Sequence, residues 1–331
     1  MSVNLDKPSR WKEDIAQSVD LYNDWFIKFA PDAFRTERRK AVVVVEESFK
    51  LTGNISRITP DEIRLNPGAL PILRMACCPP IARDRLSGLA RVPKSFVDAL
   101  DKKKIVPPRL PTAMRDEFLA NISSILNRLI DPDIFVWRNR ATNPNPNERE
   151  LERALTIVAD RLCGANADPI VRNAQETRQL EKIKGWLEAK GYKFVASGSG
   201  IPFDKLQPGQ FGFRVNIPVT VGPAGLEEDD TKESNGVNIP VDVAVMRKSS
   251  TAGAMPLLIE AKSAGDFTNV NKRRKEEAVK MQQLRATFGS RAEYILFLCG
   301  YFDSGYLGYE AAEGIDWVWE HRMEDLAQFQ L

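Results

Sequence analysis

The chain is short of the residues on which much common enzyme chemistry depends. Its 331 residues include one histidine, His321, and four cysteines, Cys77, Cys78, Cys163 and Cys299. A single histidine argues against histidine-based nuclease and zinc-protease motifs and against Ser-His-Asp hydrolysis. The cysteines offer one adjacent pair and no C-x-x-C spacing, so neither a zinc site nor a disulfide framework is expected. There is no G-x-x-x-x-G-K-[ST] phosphate loop and no G-x-G-x-x-G after a strand, which removes the usual grounds for ATP or dinucleotide binding. No apolar run approaches the ~20 residues that cross a bilayer, and the opening Ser2-Val3-Asn4-Leu5-Asp6-Lys7-Pro8 has no apolar secretory core. A cytoplasmic protein with no membrane partner is expected. A charge excess is missing too: the formal charge is only +2, with 28% charged residues. Any basic surface must therefore be local.

What is present centres on residues 237–262. Val237-Asn238-Ile239-Pro240-Val241-Asp242-Val243-Ala244-Val245-Met246 and Met255-Pro256-Leu257-Leu258-Ile259-Glu260-Ala261-Lys262 are apolar, β-branched segments around a Ser/Thr/Gly break, which predicts a hairpin. Residues two apart in a strand share a face. Glu260 and Lys262 should look out of the sheet together, with Ala261 turned to the packed side. Asp242 can join them from a strand about 4.8 Å away if the register allows. Two carboxylates and an ammonium converging on one point suit a hard divalent cation and a water held against phosphate. Spacing alone is weak evidence, since Glu188-Ala189-Lys190 repeats the tripeptide in a helical pattern, where its charges diverge into a solvated helix end.

At this length two domains are expected, with a boundary in the turn-rich segment 138–147, giving regions 1–145 and 146–331. The first reads as mainly helical. Trp11, Ile15, Val19, Tyr22, Trp25, Phe26 and Phe29 form an apolar stripe that Pro31 should close, and Thr59-Pro60-Asp61-Glu62 has the form of a capped helix start. A further helix covers 113–130. In Arg83-Asp84-Arg85, either Asp84 pairs with both arginines inside the fold or Arg83 and Arg85 reach a ligand.

The second region reads helix 148–162, helix 172–190, strand 211–221, the hairpin, helix 271–288, strands 294–298 and 315–319, and helix 323–329. Glu176 heads the stripe Leu180, Ile183, Leu187, as either an exposed first-turn acid or a carboxylate aimed at the site. Lys272, Arg273, Arg274 and Lys275 crowd a helix N-terminus, where positive charge opposes the macrodipole. They contact phosphate or form a solvated basic face. Val-Asn-Ile-Pro-Val occurs twice, at 215–219 and 237–241, and the acidic 225–230 looks like an exposed hairpin tip.

This order, with Pro240-x-Asp242 and Glu260-x-Lys262, resembles the PD-(D/E)XK nuclease superfamily over roughly residues 165–331. The proline stands two residues before the acid rather than next to it. The whole chain, including Trp11-Lys12-Glu13-Asp14-Ile15-Ala16 and Ala82-Arg83-Asp84-Arg85-Leu86, is similar to the XamI-type restriction endonucleases. The resemblance implies an α/β (α+β) fold in which helices flank a mixed central sheet. It implies a prokaryotic type II enzyme cutting double-stranded DNA at a palindromic site, GTCGAC, as a homodimer, with a cognate DNA methyltransferase as counterpart and 5′-phosphate ends. Asp242, Glu260 and the carbonyl of Ala261 would hold Mg²⁺, Lys262 would orient the attacking water, and Glu176 would assist. Lys272–Lys275, Arg83 and Arg85 are candidate DNA contacts. A repair or structure-specific nuclease, or a non-catalytic DNA-binding protein of the same fold, would share most of these features.

Overall fold

The computed structural model describes residues 2–196, 203–220, 236–251, 253–268 and 270–331, less the side chains of residues 220, 236 and 271–274. The acidic 225–230 segment lies outside the described residues. In chain order the helices are α1 Pro8–Leu51, α2 Pro60–Leu65, α3 Leu70–Met75, α4 Arg83–Ala90, α5 Lys94–Asp101, α6 Thr112–Leu129, α7 Glu148–Ala189, α8 Val270–Phe288 and α9 Ser304–Ala312. The strands are β1 Lys193–Phe194, β2 Gln210–Thr220, β3 Gly236–Val245, β4 Leu257–Ala264, β5 Glu293–Gly300 and β6 Asp316–Trp319. Among the described residues, no helix is long and apolar enough to cross a membrane.

The chain divides into two compact units, Met1–Phe29 with Arg172–Leu331, and Ala30–Val171. The turn-rich segment 138–147, where the sequence suggests a boundary, lies inside the second of these. The divisions fall within α1 and α7, close to Pro31 and Pro169. The sequence pattern ends a helix at Pro31 and separates 148–162 from 172–190. Both helices instead run on through their prolines. A proline removes one intrahelical hydrogen bond and crowds the preceding turn. That local cost is met by apolar burial on either side, at Tyr22 and Ala41 in α1 and at Ala167 and Leu180 in α7. The closing segment Glu320–Phe329 is of the tighter 3-10 type and is broken by a kink at Arg322 (φ −129°).

The helical unit packs around Phe49, Leu73, Leu86, Phe96, Leu119, Leu126, Phe135 and Trp137. Its α2 starts as its sequence predicts. Thr59 Oγ1 accepts from the Glu62 N–H, Glu62 Oε2 accepts from the Thr59 N–H, and Pro60 fills the first turn.

The other unit is built on a mixed six-stranded sheet in the order β1-β2-β3-β4-β5-β6. β1–β2, β4–β5 and β5–β6 are parallel, while β2–β3 and β3–β4 are antiparallel. Alternation places successive residues on opposite faces. Leu258, Tyr294, Leu296 and Leu298 join Met281 and Leu284 of α8, whereas Leu257, Ile259, Ile295 and Phe297 join Leu180, Ile183 and Leu187 of α7. The duplicated pentapeptide pairs with itself. Val215 faces Val241, Asn216 faces Pro240, Ile217 faces Ile239, Pro218 faces Asn238 and Val219 faces Val237. Antiparallel pairing of two identical segments about their central isoleucine puts each proline opposite an asparagine and matches the three apolar rows.

The N-terminal segment is held in this unit by the buried Asp316 carboxylate and by Asn4, whose Nδ2 donates to the Trp317 carbonyl and whose Oδ1 accepts from Arg322. Asp316 accepts backbone N–H groups from Val3, Asn4 and Leu5 and from its neighbour Trp317. Trp11 then packs edge-on against Trp317 at 5.5 Å. Hydrogen bonds to a charged acceptor contribute about 1.5–3 kcal/mol each. Asp316→Ala is therefore expected to lower stability by at least ~2 kcal/mol in urea titration. A midpoint equal to wild type would show that the segment is held by something else.

Candidate active site

The hairpin forms as expected, and its irregularity places the acids. The β2–β3 register runs Phe213–Val243 and then Val215–Val241, skipping Arg214 and Asp242. Arg214 takes a left-handed backbone (φ 51°), which costs a non-glycine residue roughly 1 kcal/mol. The side-chain sense reverses across this step. Phe211, Phe213, Val243 and Val245 pack with α7, while Val215, Ile217, Ile239 and Val241 pack in the core on the α8 side. β3–β4 pairing also stops there, at Val243–Ile259. Asp242 thus sits where β3 parts from β4 and skips one pair with β2, and its Oδ2 accepts the Ala261 N–H at 2.8 Å. A side chain stands in for the missing ladder bond.

Glu260 and Lys262 share a face, with Lys262 Nζ 3.1 Å from Glu260 Oε1. Ala261 packs on the α7 side. Helix α8 adds two residues that its apolar stripe alone does not pick out. Glu277 is fully buried with Oε1 2.7 Å from Lys262 Nζ, and Lys280 Nζ lies 2.6 Å from Glu260 Oε1. The sequence does hold a signal, because Glu277 lies four residues before inward-facing Met281, the same step that picks out Glu176 from Leu180. Gln179 of α7, almost fully buried, donates Nε2 to the carbonyls of Lys262 and Phe297, both at 3.3 Å.

Burial pushes the Asp242 carboxyl up to about 6, and the Glu260 charge adds to this. The Ala261 N–H and the Lys262 ammonium oppose it, and Glu176 contributes a further small rise. For Lys262, burial disfavours the charge, but Glu260 and Glu277 outweigh it and hold the ammonium above its ordinary range. Lys262 is a donor, not a base, in this state. Glu310 on α9, 2% exposed, is pushed up to about 8 by burial and by the nearby Glu277 charge.

The other candidates lie as follows. Glu176 is partly exposed, pairs with Arg214 at 3.0 Å, and is close enough to act on Asp242. Lys275 is exposed, and the side chains of Lys272, Arg273 and Arg274 lie outside the described residues. In the helical unit Asp84 pairs with Lys94 at 3.0 Å rather than with its flanking arginines, which corrects the internal-pair alternative. Arg83 instead approaches Asp98 and Asp101 at 3.7 and 3.6 Å, from the next helix, and Arg85 is exposed.

Among the described residues, no cluster of three or more His, Cys, Asp and Glu side chains has metal-holding geometry. The donor set nevertheless suits a hard cation. Glu260 Oε1 carries both ammonium contacts, whereas Glu260 Oε2 is buried with no hydrogen-bond partner. A buried carboxylate oxygen left unpaired beside a second carboxylate is costly unless a positive charge meets it.

A mixed sheet flanked by helices, carrying an acid strand beside a Glu-x-Lys strand, has the layout of the restriction-endonuclease-like fold. The family model of the XamI restriction endonuclease matches residues 53–319, and the chain belongs to that family. It is 49% identical over 324 residues to the type II restriction enzyme SalI of Streptomyces albus G, covering 98% of each chain. No solved structure matches. The protein is a type II restriction endonuclease, a site-specific deoxyribonuclease with DNA as its substrate.

The raised Glu310 carries a stability consequence. A carboxyl with a higher pKa folded than unfolded binds its proton more tightly in the fold. Its stabilisation is complete below the unfolded value and is lost as pH rises through about 8. A tenfold difference in proton affinity between the two states is worth ~1.4 kcal/mol. Glu310→Gln should match wild type in melting temperature near pH 5 and exceed it by several degrees at pH 9. An unchanged difference across that range would mean Glu310 titrates normally.

Proposed function

We propose that the enzyme makes Mg²⁺-dependent double-strand cuts at a short palindromic DNA site, with GTCGAC as the candidate sequence, leaving 5′-phosphate ends. The observation that carries the active-site assignment is the meeting of Asp242, Glu260 and Lys262 at the break in the hairpin, with Glu260 Oε2 unpartnered. Asp242, Glu260 and the carbonyl of Ala261 hold the cation. When bound it supplies Lewis-acid polarisation of the phosphodiester and a water of lowered pKa. Lys262, charged throughout, points its donors at the attacking water and at the negative charge that builds on the phosphorus oxygens. Glu176 acts from the rim as an additional carboxylate, its position set by Arg214.

Cutting both strands of a palindrome calls for two such sites related by a two-fold axis, hence a homodimer. Within the chain, we assign cleavage to residues 146–331 and DNA recognition or dimerisation to the mainly helical 1–145. All the clustered charges of the site come from beyond residue 171. Arg83, Arg85 and Lys272–Lys275 are the proposed backbone contacts. A prokaryotic cytoplasm and a partner methyltransferase that protects the host's own sites complete the reading.

The direct test is digestion of unmethylated plasmids with and without GTCGAC, in Mg²⁺ and in EDTA, with Glu260→Ala as control. Discrete fragments only from the plasmid carrying the site are expected. Absence of cutting by wild type under every divalent ion would overturn the metal-dependent mechanism, and fragments from both plasmids would overturn the site. The raised Asp242 pKa gives a second expectation, since proton and cation compete for one carboxylate. Divalent-ion affinity, measured with Ca²⁺ and duplex DNA, should weaken steadily as pH falls through about 6. Affinity constant from pH 7.5 to 5 would exclude Asp242 as a ligand.

A further inference from the structure

Helix α8 presents Glu277 and Lys280, about one turn apart, to the Glu260–Lys262 pair. The four charges alternate in the order Glu277, Lys262, Glu260, Lys280, with successive contacts of 2.7, 3.1 and 2.6 Å. Glu277 has no exposed surface, and among the described residues Lys262 is its ion-pair partner. Taking such a carboxylate out of water costs several kcal/mol unless a close opposite charge compensates. Packing alone gives no reason for a carboxylate there, since the same face of α8 carries Met281 and Leu284 into an apolar core. At the other end, Lys280 also lies 3.4 Å from the Pro240 carbonyl, two residues before Asp242. It therefore reaches both β3 and β4 where they part.

The orientation of Glu260 follows from this arrangement. Lys262 and Lys280 both take Oε1, and Oε2 is left without a hydrogen-bond partner. A carboxylate fixed in this way offers one chosen oxygen to an incoming cation. Lys262, in turn, is drawn from one side by Glu277 and from the other by Glu260, which limits its flexible stem to one position. A long side chain of this kind otherwise holds several rotamers.

We propose that Glu277 and Lys280 are positioning residues for the cleavage reaction: Glu277 fixes the Lys262 ammonium, and Lys280 fixes Glu260 so that Oε2 faces the cation. This rests on the assignment of Glu260 and Lys262 given above. Misplacing a catalytic group by about 1 Å costs roughly 100-fold in rate. Glu277→Gln keeps the shape of the side chain and removes its charge, and Lys280→Met keeps the stem and removes the ammonium.

The test measures single-turnover cleavage of a GTCGAC duplex in Mg²⁺, binding of the same duplex in Ca²⁺, and melting of the metal-free enzyme. Both variants should bind the duplex within about threefold of wild type while Glu277→Gln cuts about 100-fold more slowly. Lys280→Arg should recover most of the rate that Lys280→Met loses. In the metal-free enzyme, Glu277→Gln and Lys262→Met should each lower the melting temperature, and the double variant should lower it by less than the sum. Additive losses would show that the two charges are not coupled and would overturn the Glu277 role. Should Glu277→Gln fail to fold, Lys280→Met decides: wild-type cutting by it overturns the proposal. Full activity of Glu260→Ala and Lys262→Ala would instead remove the site assignment itself. Inactive Glu260→Ala and Lys262→Ala beside wild-type Glu277→Gln and Lys280→Met would remove only this inference.

Discussion

The geometry of the site depends on one hydrogen bond, from the Ala261 N–H to Asp242 Oδ2 at 2.8 Å. A backbone N–H at the point where two strands part would otherwise lose its partner, and buried backbone donors are seldom left unpaired. By supplying the acceptor from a side chain, the fold fixes a carboxylate between the β3 and β4 backbones. That carboxylate then lies next to Glu260, and its pKa is raised first by burial and then by the Glu260 charge. Two acids are held together by backbone geometry at a place where their own charges push them apart. The ammonium groups of Lys262 and Lys280 reduce that repulsion without removing it.

Strand periodicity makes much of this legible in the sequence. An interval of two in β4 assigns Glu260 and Lys262 to one face whatever the tertiary context, and an apolar run with a Ser/Thr/Gly break defines the hairpin that brings up Asp242. Less legible is the reversal of side-chain sense at Arg214. It rests on a left-handed backbone at an arginine, a residue that gives no local warning of such a conformation. Helices are harder for a related reason. Pro31 reads as a stop, and 148–162 reads as separate from 172–190, because propensity is local, whereas the burial that carries α1 and α7 on is spread along each helix. Glu277 is hard to single out because its neighbours Lys275 and Glu276 are solvated, so that only its four-residue step to Met281 marks it as facing inward.

The repeated pentapeptide marks two neighbouring strands, as its sequence suggests, but its purpose lies in the pairing. Two copies of Val-Asn-Ile-Pro-Val in antiparallel register make a symmetric ladder about Ile217 and Ile239. Its inner end is the step at Arg214 and Asp242. A regular, well-matched ladder immediately beside an unpaired step is a way of confining irregularity to one position. Register slippage by one residue would turn the apolar rows of the repeat to the wrong side. The self-match of the two copies therefore also fixes where Asp242 falls.

Comparison of the two Glu-Ala-Lys tripeptides isolates what gives the second its role. Glu188-Ala189-Lys190 ends α7 with every residue exposed, and Lys190 pairs with Glu324 across the surface at 3.1 Å. Such an exposed pair contributes at most about 1 kcal/mol. Glu260-Ala261-Lys262 has the same chemistry at the same spacing, but a strand turns both charges to one side and α8 closes over them with two more. In low-dielectric surroundings each charge then depends on the others, so none is merely solvated. The difference between an idle triplet and a site is therefore set by secondary structure and by the helix packed against it. Only the first of these can be read from the triplet and its flanks.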